Sequence, residues 1–229
     1  MVKSEPTPSA SRKPGQKRTD SLTDKAYSAL EELIVTLQLE PGEVLSEVAL
    51  SQELGIGRTP IREALQRLAR EGLVTILPRK GILVSDINPR KQLLLLEVRR
   101  ELERLIARSA AQRATDQERA KFKAIADGIE KASAEKDDLS FMRYDDELNK
   151  LMALAAHNEY ANRAIGLMHG LSRRFWYMHY KETADLPLTA GLHAKLAQAI
   201  AKGDGEAAAS ASDKLVDYVE SFTRATVTS

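Results

Sequence analysis

The chain of 229 residues contains no cysteine. That excludes structural disulfides, thiolate-held metals and a cysteine nucleophile. It fits a reducing compartment, so a cytoplasmic location is expected. Aromatic residues are scarce: one Trp, six Tyr and four Phe. Long apolar runs are missing too. The longest unbroken one runs from Leu151 to Ala156, whereas a membrane-spanning helix needs about 20 residues. No stretch reads as a signal-peptide core, so no membrane association is expected. Nor is there an excess of either charge, with 34 Lys and Arg against 33 Asp and Glu. Taken whole, that balance argues against a simple polybasic nucleic-acid binder. What is present is a 43% apolar content, enough for a real core.

The charge balance is a cancellation between segments. Residues 1–20 carry Lys3, Arg12, Lys13, Lys17 and Arg18 against Glu5 and Asp20. This stretch is rich in Pro and Ser and poor in large apolar side chains, so it reads as a flexible basic arm. Residues 21–57 are strongly acidic. Residues 58–80 are basic, with Arg58, Arg62, Arg67, Arg70, Arg79 and Lys80 against Glu63 and Glu71. The remainder is neutral.

Hydrophobic periodicity divides the chain further. Ala26, Leu30, Leu33, Ile34 and Leu37 recur at helical spacing, and Pro41-Gly42 is the expected stop. Ser46 opens a second short helix that Gly55 ends. A third follows Gly57, with Thr59 as the expected N-cap and Pro60 at its first position. Its buried stripe is Ile61, Ala64, Leu65 and Leu68. Two short apolar runs then flank Pro78-Arg79-Lys80-Gly81, giving a two-stranded hairpin with a basic tip. Helix, helix, helix, hairpin is the order of a winged helix-turn-helix.

Beyond Asn88-Pro89 the pattern is helical throughout. The expected helices are 89–113, 116–135, 138–156, 159–181, 189–202 and 205–225, with short connections that favour antiparallel neighbours in a bundle. The expectation is a mainly α fold. It comprises the arm (1–20), a winged helix-turn-helix (21–85) and an all-helical bundle (86–229).

In a helix-turn-helix the start of the second helix enters the major groove. Arg58, Thr59 and Arg62 occupy that start. Arg58 and Arg62 are four apart and share a face, and arginine's planar fork suits guanine edges or phosphate. Arg67 and Arg70 read as a solvated helix face. Arg79 and Lys80 are placed to reach the backbone or the minor groove.

The run Leu45-Ser46-Glu47, Leu54-Gly55-Ile56-Gly57-Arg58-Thr59-Pro60-Ile61-Arg62-Glu63-Ala64-Leu65-Gln66-Arg67-Leu68, Glu71-Gly72-Leu73-Val74 and Arg79-Lys80-Gly81 closely resembles the GntR family of bacterial transcription regulators. The resemblance implies DNA contacts by Arg58, Thr59, Arg62 and the wing-tip Gly81. Val48 stands where the family often has a further arginine, so one expected contact is missing.

The rest resembles the effector domain of the FadR-like branch, the FCD domain. Three runs carry this likeness: Glu97-Val98-Arg99-Arg100-Glu101-Leu102-Glu103, Asp145-Asp146-Glu147-Leu148-Asn149, and His193-Ala194-Lys195-Leu196. Many such domains hold a divalent metal of the Zn, Ni or Mn class through an Asp, a His four residues later and two further His. The resemblance places Asp145 and His193 in that set, with Asn149 replacing one His and the last falling near Leu215. Asp, Asn and His form a thin set for a transition metal. The other reading of the three is a group of hydrogen-bonded polar side chains in an effector pocket without metal. Arg99 matches the family's cavity arginine, and a buried arginine needs an anion, so an organic-acid effector is expected. Arg100 and Arg104 read as surface pairs with Glu97, Glu101 or Glu103. In the aromatic segment 173–180, Arg173 and Trp176 are candidates to line the cavity, with core packing as the plainer reading. His157, His169 and His179 read as surface or internally satisfied.

Together these readings predict a homodimeric repressor that binds double-stranded operator DNA under the control of a small anionic effector. The rival is a metal-dependent enzyme on a helical bundle, with Asp145 and His193 as ligands and Glu147 as base. Paired Glu-x-x-His motifs, His-Glu-x-x-His and phosphate-binding loops are all missing from the sequence.

Overall fold

In a computed structural model of the chain, residues 21–79, 81–183 and 185–228 are described; the basic arm (1–20) and Lys80 lie outside them. Nine helices and three short strands are present among the described residues, so the fold is mainly α, as its sequence pattern predicts.

The N-terminal part runs α1 (Leu22–Val35), β1 (Val44–Leu45), α2 (Glu47–Leu54), α3 (Arg58–Arg70), β2 (Val74–Leu77) and β3 (Gly81–Val84). Ser21 and Asp24 cap α1 reciprocally, satisfying donors that the first turn leaves open. The helix ends at Val35, well before Pro41-Gly42, and Leu37 lies beyond it with φ +58°. The sequence also hides a strand. Val44 and Leu45 pair with Leu83 and Ile82, which makes a three-stranded antiparallel sheet in the order β1-β3-β2. A two-residue strand carries no readable alternation.

Helix α3 begins two residues earlier than expected. Gly57 is its N-cap and makes no side-chain cap bond. Thr59 is therefore not the cap but a first-turn residue with an exposed side chain. Pro60 is tolerated at the third position because first-turn N–H groups have no intrahelical acceptor. Leu30, Ile34, Ile61, Leu65, Leu68, Leu73 and Val84 form the core of this head.

The helical part comprises α4 (Pro89–Arg113), α5 (Asp116–Glu135), α6 (Asp138–Ala155), α7 (Glu159–Thr183), α8 (Leu186–Lys202) and α9 (Gly205–Thr228). Asn88 caps α4 and Thr115 with Glu118 forms a capping box on α5. Helix α8 starts at Leu186, capped by Asp185, so Pro187 sits inside the first turn rather than in a break. The packing is not a simple succession of neighbours. Helix α4 packs most extensively on α9 and α5 on α8. Phe122, Ile129, Phe141, Leu148, Phe175 and Ile200 anchor the core between them.

Helix α7 joins the two parts. Leu171 packs against the core of the head. Gly170 makes that approach possible, because a Cβ there would lie 2.7 Å from Leu73 Cδ1. Arg174 is almost wholly buried. Its Nη1 donates to Ser85 O at 2.8 Å, and its Nη2 reaches Asp86 O and Ser85 Oγ, each at 3.3 Å. Burial pushes its pKa down to about 10. It still clamps the link between β3 and α4.

Candidate DNA interface and ligand cavity

Arg58, Thr59 and Arg62 are all exposed on the first turns of α3. Arg62, Arg79 and Gly81 line one open groove of about 350 Å³ between α3 and the wing. Two left-handed residues shape the tip, Arg79 at φ +64° and Gly81 at φ +99°. Arg62 is not idle in this state. Its guanidinium holds Glu47 of α2 at 2.7 Å, which raises the Arg62 pKa and lowers that of Glu47, in each case chiefly through the hydrogen bond. Val48, at the place of the further arginine, is half exposed beside it. Arg67 lies over the Tyr27 ring, 3.6 Å from its centroid, and bonds Glu71. It stabilises the α1–α3 contact and points to no DNA role.

A cavity of about 50 Å³ opens between α4, α6, α7, α8 and α9. The structure brings together all six sequence candidates there: Arg99, Asp145, Asn149, Arg173, Trp176 and His193. Phe141, Met142, Leu215 and Val219 supply its apolar wall. Asp145 Oδ1 accepts from Asn149 Nδ2 at 2.9 Å and faces His193 Nε2 at 3.0 Å. His193 Nδ1 lies 2.8 Å from Thr189 O. A carbonyl only accepts, so Nδ1 carries a proton, and Nε2 facing a carboxylate carries the second. Burial alone pushes the His193 pKa down, but the Asp145 hydrogen bond and charge override it and the net shift is upward. Burial likewise pushes Asp145 up, and His193 with Arg173 brings it below the usual range.

Three expectations change. His169 is not a surface residue. It lines the cavity, and burial, then the charge of Arg99, depresses its pKa to about 3, so the ring is neutral. Its position on α7 one turn before Arg173 was the readable signal. Arg99, expected to await an external anion, already bonds Glu103 one turn along α4. Arg100 and Arg104 pair across to Asp217, Glu220 and Asp213 of α9 rather than along their own helix.

The donor set falls short of a resident divalent metal. Leu215 puts a hydrocarbon where a third nitrogen is needed, and Asn149 turns its amide N–H toward Asp145. No cluster of three His, Cys, Asp or Glu with metal-holding geometry occurs among the described residues. Asp145 and His193, the ligands that the metalloenzyme reading calls for, are bonded to each other.

Arg173 lies among three carboxylates. Its Nη1 donates to Glu31 of α1 at 2.9 Å and to Asp146 at 3.1 Å. Its Nε is 3.9 Å from Asp145 Oδ2. Burial lowers its pKa, but these three carboxylates raise it overall. Glu31 moves up, because burial outweighs its arginine partner. Thus one side chain touches both the head and the cavity.

A winged helix-turn-helix with an exposed arginine-bearing helix, joined to a helical unit around a cavity, defines a DNA-binding regulator with a sensory domain. Comparison with known proteins agrees. Residues 22–84 match the gntR family of bacterial regulatory proteins and residues 94–218 match the FCD domain. The chain belongs to the GntR family of transcription regulators, with an FCD domain as its second part. It is 26% identical over 189 residues to the HTH-type transcriptional repressor RspR of Escherichia coli, covering 82% of this chain and 83% of that protein. It is 42% identical over 86 residues to the Nta operon transcriptional regulator of Aminobacter aminovorans, 38% of this chain and 41% of that protein. A regulator from Streptomyces ambofaciens matches at 46% over 63 residues, 28% of this chain and 27% of that protein. The chain thus spans well under two thirds of the length of these last two relatives. The fold is shared with Escherichia coli McbR/YncC, with a TM-score of 0.77 and 20% identity over 90% of this chain and 99% of that one.

Proposed function

We propose that the protein is a homodimeric repressor that binds a palindromic operator and is released from it by a small organic acid. Residues 21–85 form the DNA-binding domain and 86–229 the effector-binding and dimerisation domain. Arg58, Thr59, Arg62, Arg79, Lys80 and Gly81 meet DNA, and the protein acts in the cytoplasm, where that DNA is. The observation that carries this reading is a cavity lined by buried charged groups, one of which, Arg173, also binds the head.

Two copies are needed because one head buries too little surface for tight specific binding. Exposed apolar stripes open to a second copy run along α4 and along α7. Exposed Leu94, Val98 and Leu105 follow helical spacing along α4, and exposed Tyr160, Leu167 and Met178 do so along α7, which packs on α4. Effector binding changes operator affinity only through a difference in its affinity for two arrangements of the heads.

The test is a gel shift with the DNA upstream of the protein's own gene at two salt concentrations. Affinity falls steeply as salt rises, since phosphate contacts release counterions. A folded dimer that binds no DNA at any salt overturns the reading.

A further inference from the structure

Every charged group at the cavity already has an opposite partner. Arg99 holds Glu103, His193 holds Asp145, and Arg173 holds Glu31 and Asp146. A negative charge enters such a balanced, buried set only if a cation leaves a carboxylate it now serves. Among the described residues, the Arg173–Glu31 pair is the one of these that crosses from the cavity wall to the head. The other pairs stay within the helical part.

Hydrogen-bond donors at the cavity, by contrast, are not all used. Trp176 Nε1 and Arg173 Nε are buried without a hydrogen-bond acceptor among the described residues, Asp145 Oδ2 lying too far from Nε at 3.9 Å. Trp176 itself is only 8% exposed. An indole N–H and a guanidinium N–H left this way have lost water and gained nothing. They lack an oxygen, and no metal fits beside them to hold one.

We propose that the cavity takes a small carboxylate directly, with no metal ion between, on Trp176 Nε1–H and Arg173 Nε–H, and that the carboxylate draws Arg173 away from Glu31. The ligand's alkyl part packs on Leu215 and Val219. Losing Arg173 leaves Glu31 as an unpaired carboxylate between α1 and α7, so ligand occupancy loosens the head from the helical domain. This rests on the reading of the protein as a regulator released by an organic acid, and supplies the groups that hold the acid and the residue that couples it to the head. The coupling is reciprocal: operator DNA that favours the paired arrangement weakens the carboxylate by the same factor.

Trp176 is the chain's one tryptophan, so intrinsic fluorescence reports on the cavity. The experiment titrates full-length protein, stripped with EDTA, with sodium acetate at constant ionic strength. Acetamide, of like shape and no charge, is the control. Operator binding is followed in parallel by gel shift. The expected result is a saturable change with acetate and none with acetamide, together with weaker operator binding. Glu31→Gln, isosteric and outside the cavity lining, binds acetate more tightly, on the order of fivefold, and no longer releases operator in response. Arg173→Met loses the acetate signal while circular dichroism stays helical. A signal that appears only when Zn²⁺ or Mn²⁺ is restored overturns the direct contact. Unchanged or weaker acetate affinity in Glu31→Gln overturns the exchange of partners. Failure of the unliganded protein to bind operator overturns the regulator reading instead, and leaves the fluorescence titration to decide carboxylate binding on its own.

Discussion

Arg62 and Glu47 close a two-pronged hydrogen bond across the turn between α2 and α3. Arg62 Nε lies 3.0 and 3.1 Å from the two carboxylate oxygens, and Nη2 lies 2.7 Å from Oε2. The fork is therefore held in one orientation before DNA arrives. Arg62→Ala is expected to weaken operator binding on the order of tenfold or more if the side chain reads a base. Glu47→Gln releases the fork to wander onto phosphates. Its expected effect is tighter binding to unrelated DNA and a smaller ratio of operator to non-specific affinity, both measurable by fluorescence anisotropy. An unchanged ratio means that Glu47 does not orient Arg62.

The cavity lacks two nitrogens for a metal. The double substitution Asn149→His and Leu215→His adds both beside Asp145 and His193. The doubly substituted protein is expected to gain thermal stability with added Zn²⁺, because a ligand that binds only the folded state stabilises by mass action. The natural chain is expected to show no such shift. A Zn²⁺-dependent rise in Tm of the natural chain contradicts the reading of its donor set.

Arg174 donates to carbonyls of the link rather than to a carboxylate. Arg174→Met keeps the bulk and removes the donors. It is expected to cost about 1.5–3 kcal/mol, the range for hydrogen bonds to a charged group, read from urea denaturation. Hydrogen exchange at residues 84–88 is expected to speed up more than in the α3 core. Uniform acceleration throughout the chain argues against a local clamp.

The α5 capping box sets a pH dependence. Glu118 accepts from the Thr115 backbone N–H at 2.8 Å, and this bond, with the Thr115 hydroxyl and His157, holds its pKa below the usual value. A depressed carboxylate stabilises the fold above its unfolded pKa of about 4.3. That contribution is lost as pH falls through the lower folded value. Glu118→Gln is expected to flatten stability against pH in that acid window. Thr115→Ala is expected to cost about 1 kcal/mol at neutral pH. Chemical denaturation at a series of pH values separates the two.

Much of this arrangement is legible in the sequence because it rests on local rules. The bounds of α4 and α5 follow from Asn88-Pro89 and Thr115 with Glu118, where a cap and a period coincide. The cavity candidates emerge from i,i+4 spacing and a family likeness. What escapes is whatever depends on distant partners. Strand β1 exists because β3 offers it an edge, and nothing in Val44-Leu45 says so. His169 and the Arg173–Glu31 pair are brought into place by the path of α7 against α1 and α4. Arg99 shows the same limit: its anion, Glu103, is visible at i+4, but the burial that makes that bond decisive is not. The start of α3 moves because glycine can cap through its backbone alone.

Helix α7 is one rod of 25 residues, about 37 Å long. The contacts with the head described above gather in one short stretch of it, Gly170 to Arg174. The cavity's remaining walls come from α4, α6, α8 and α9, largely apart from that stretch. Chemical selectivity can therefore drift through Phe141, Met142, Leu215 or Val219 while the junction stays intact. The same separation makes the head portable. A foreign sensory bundle that presents a glycine and two arginines in this register, opposite Leu73 and Glu31, has the main elements of the joint.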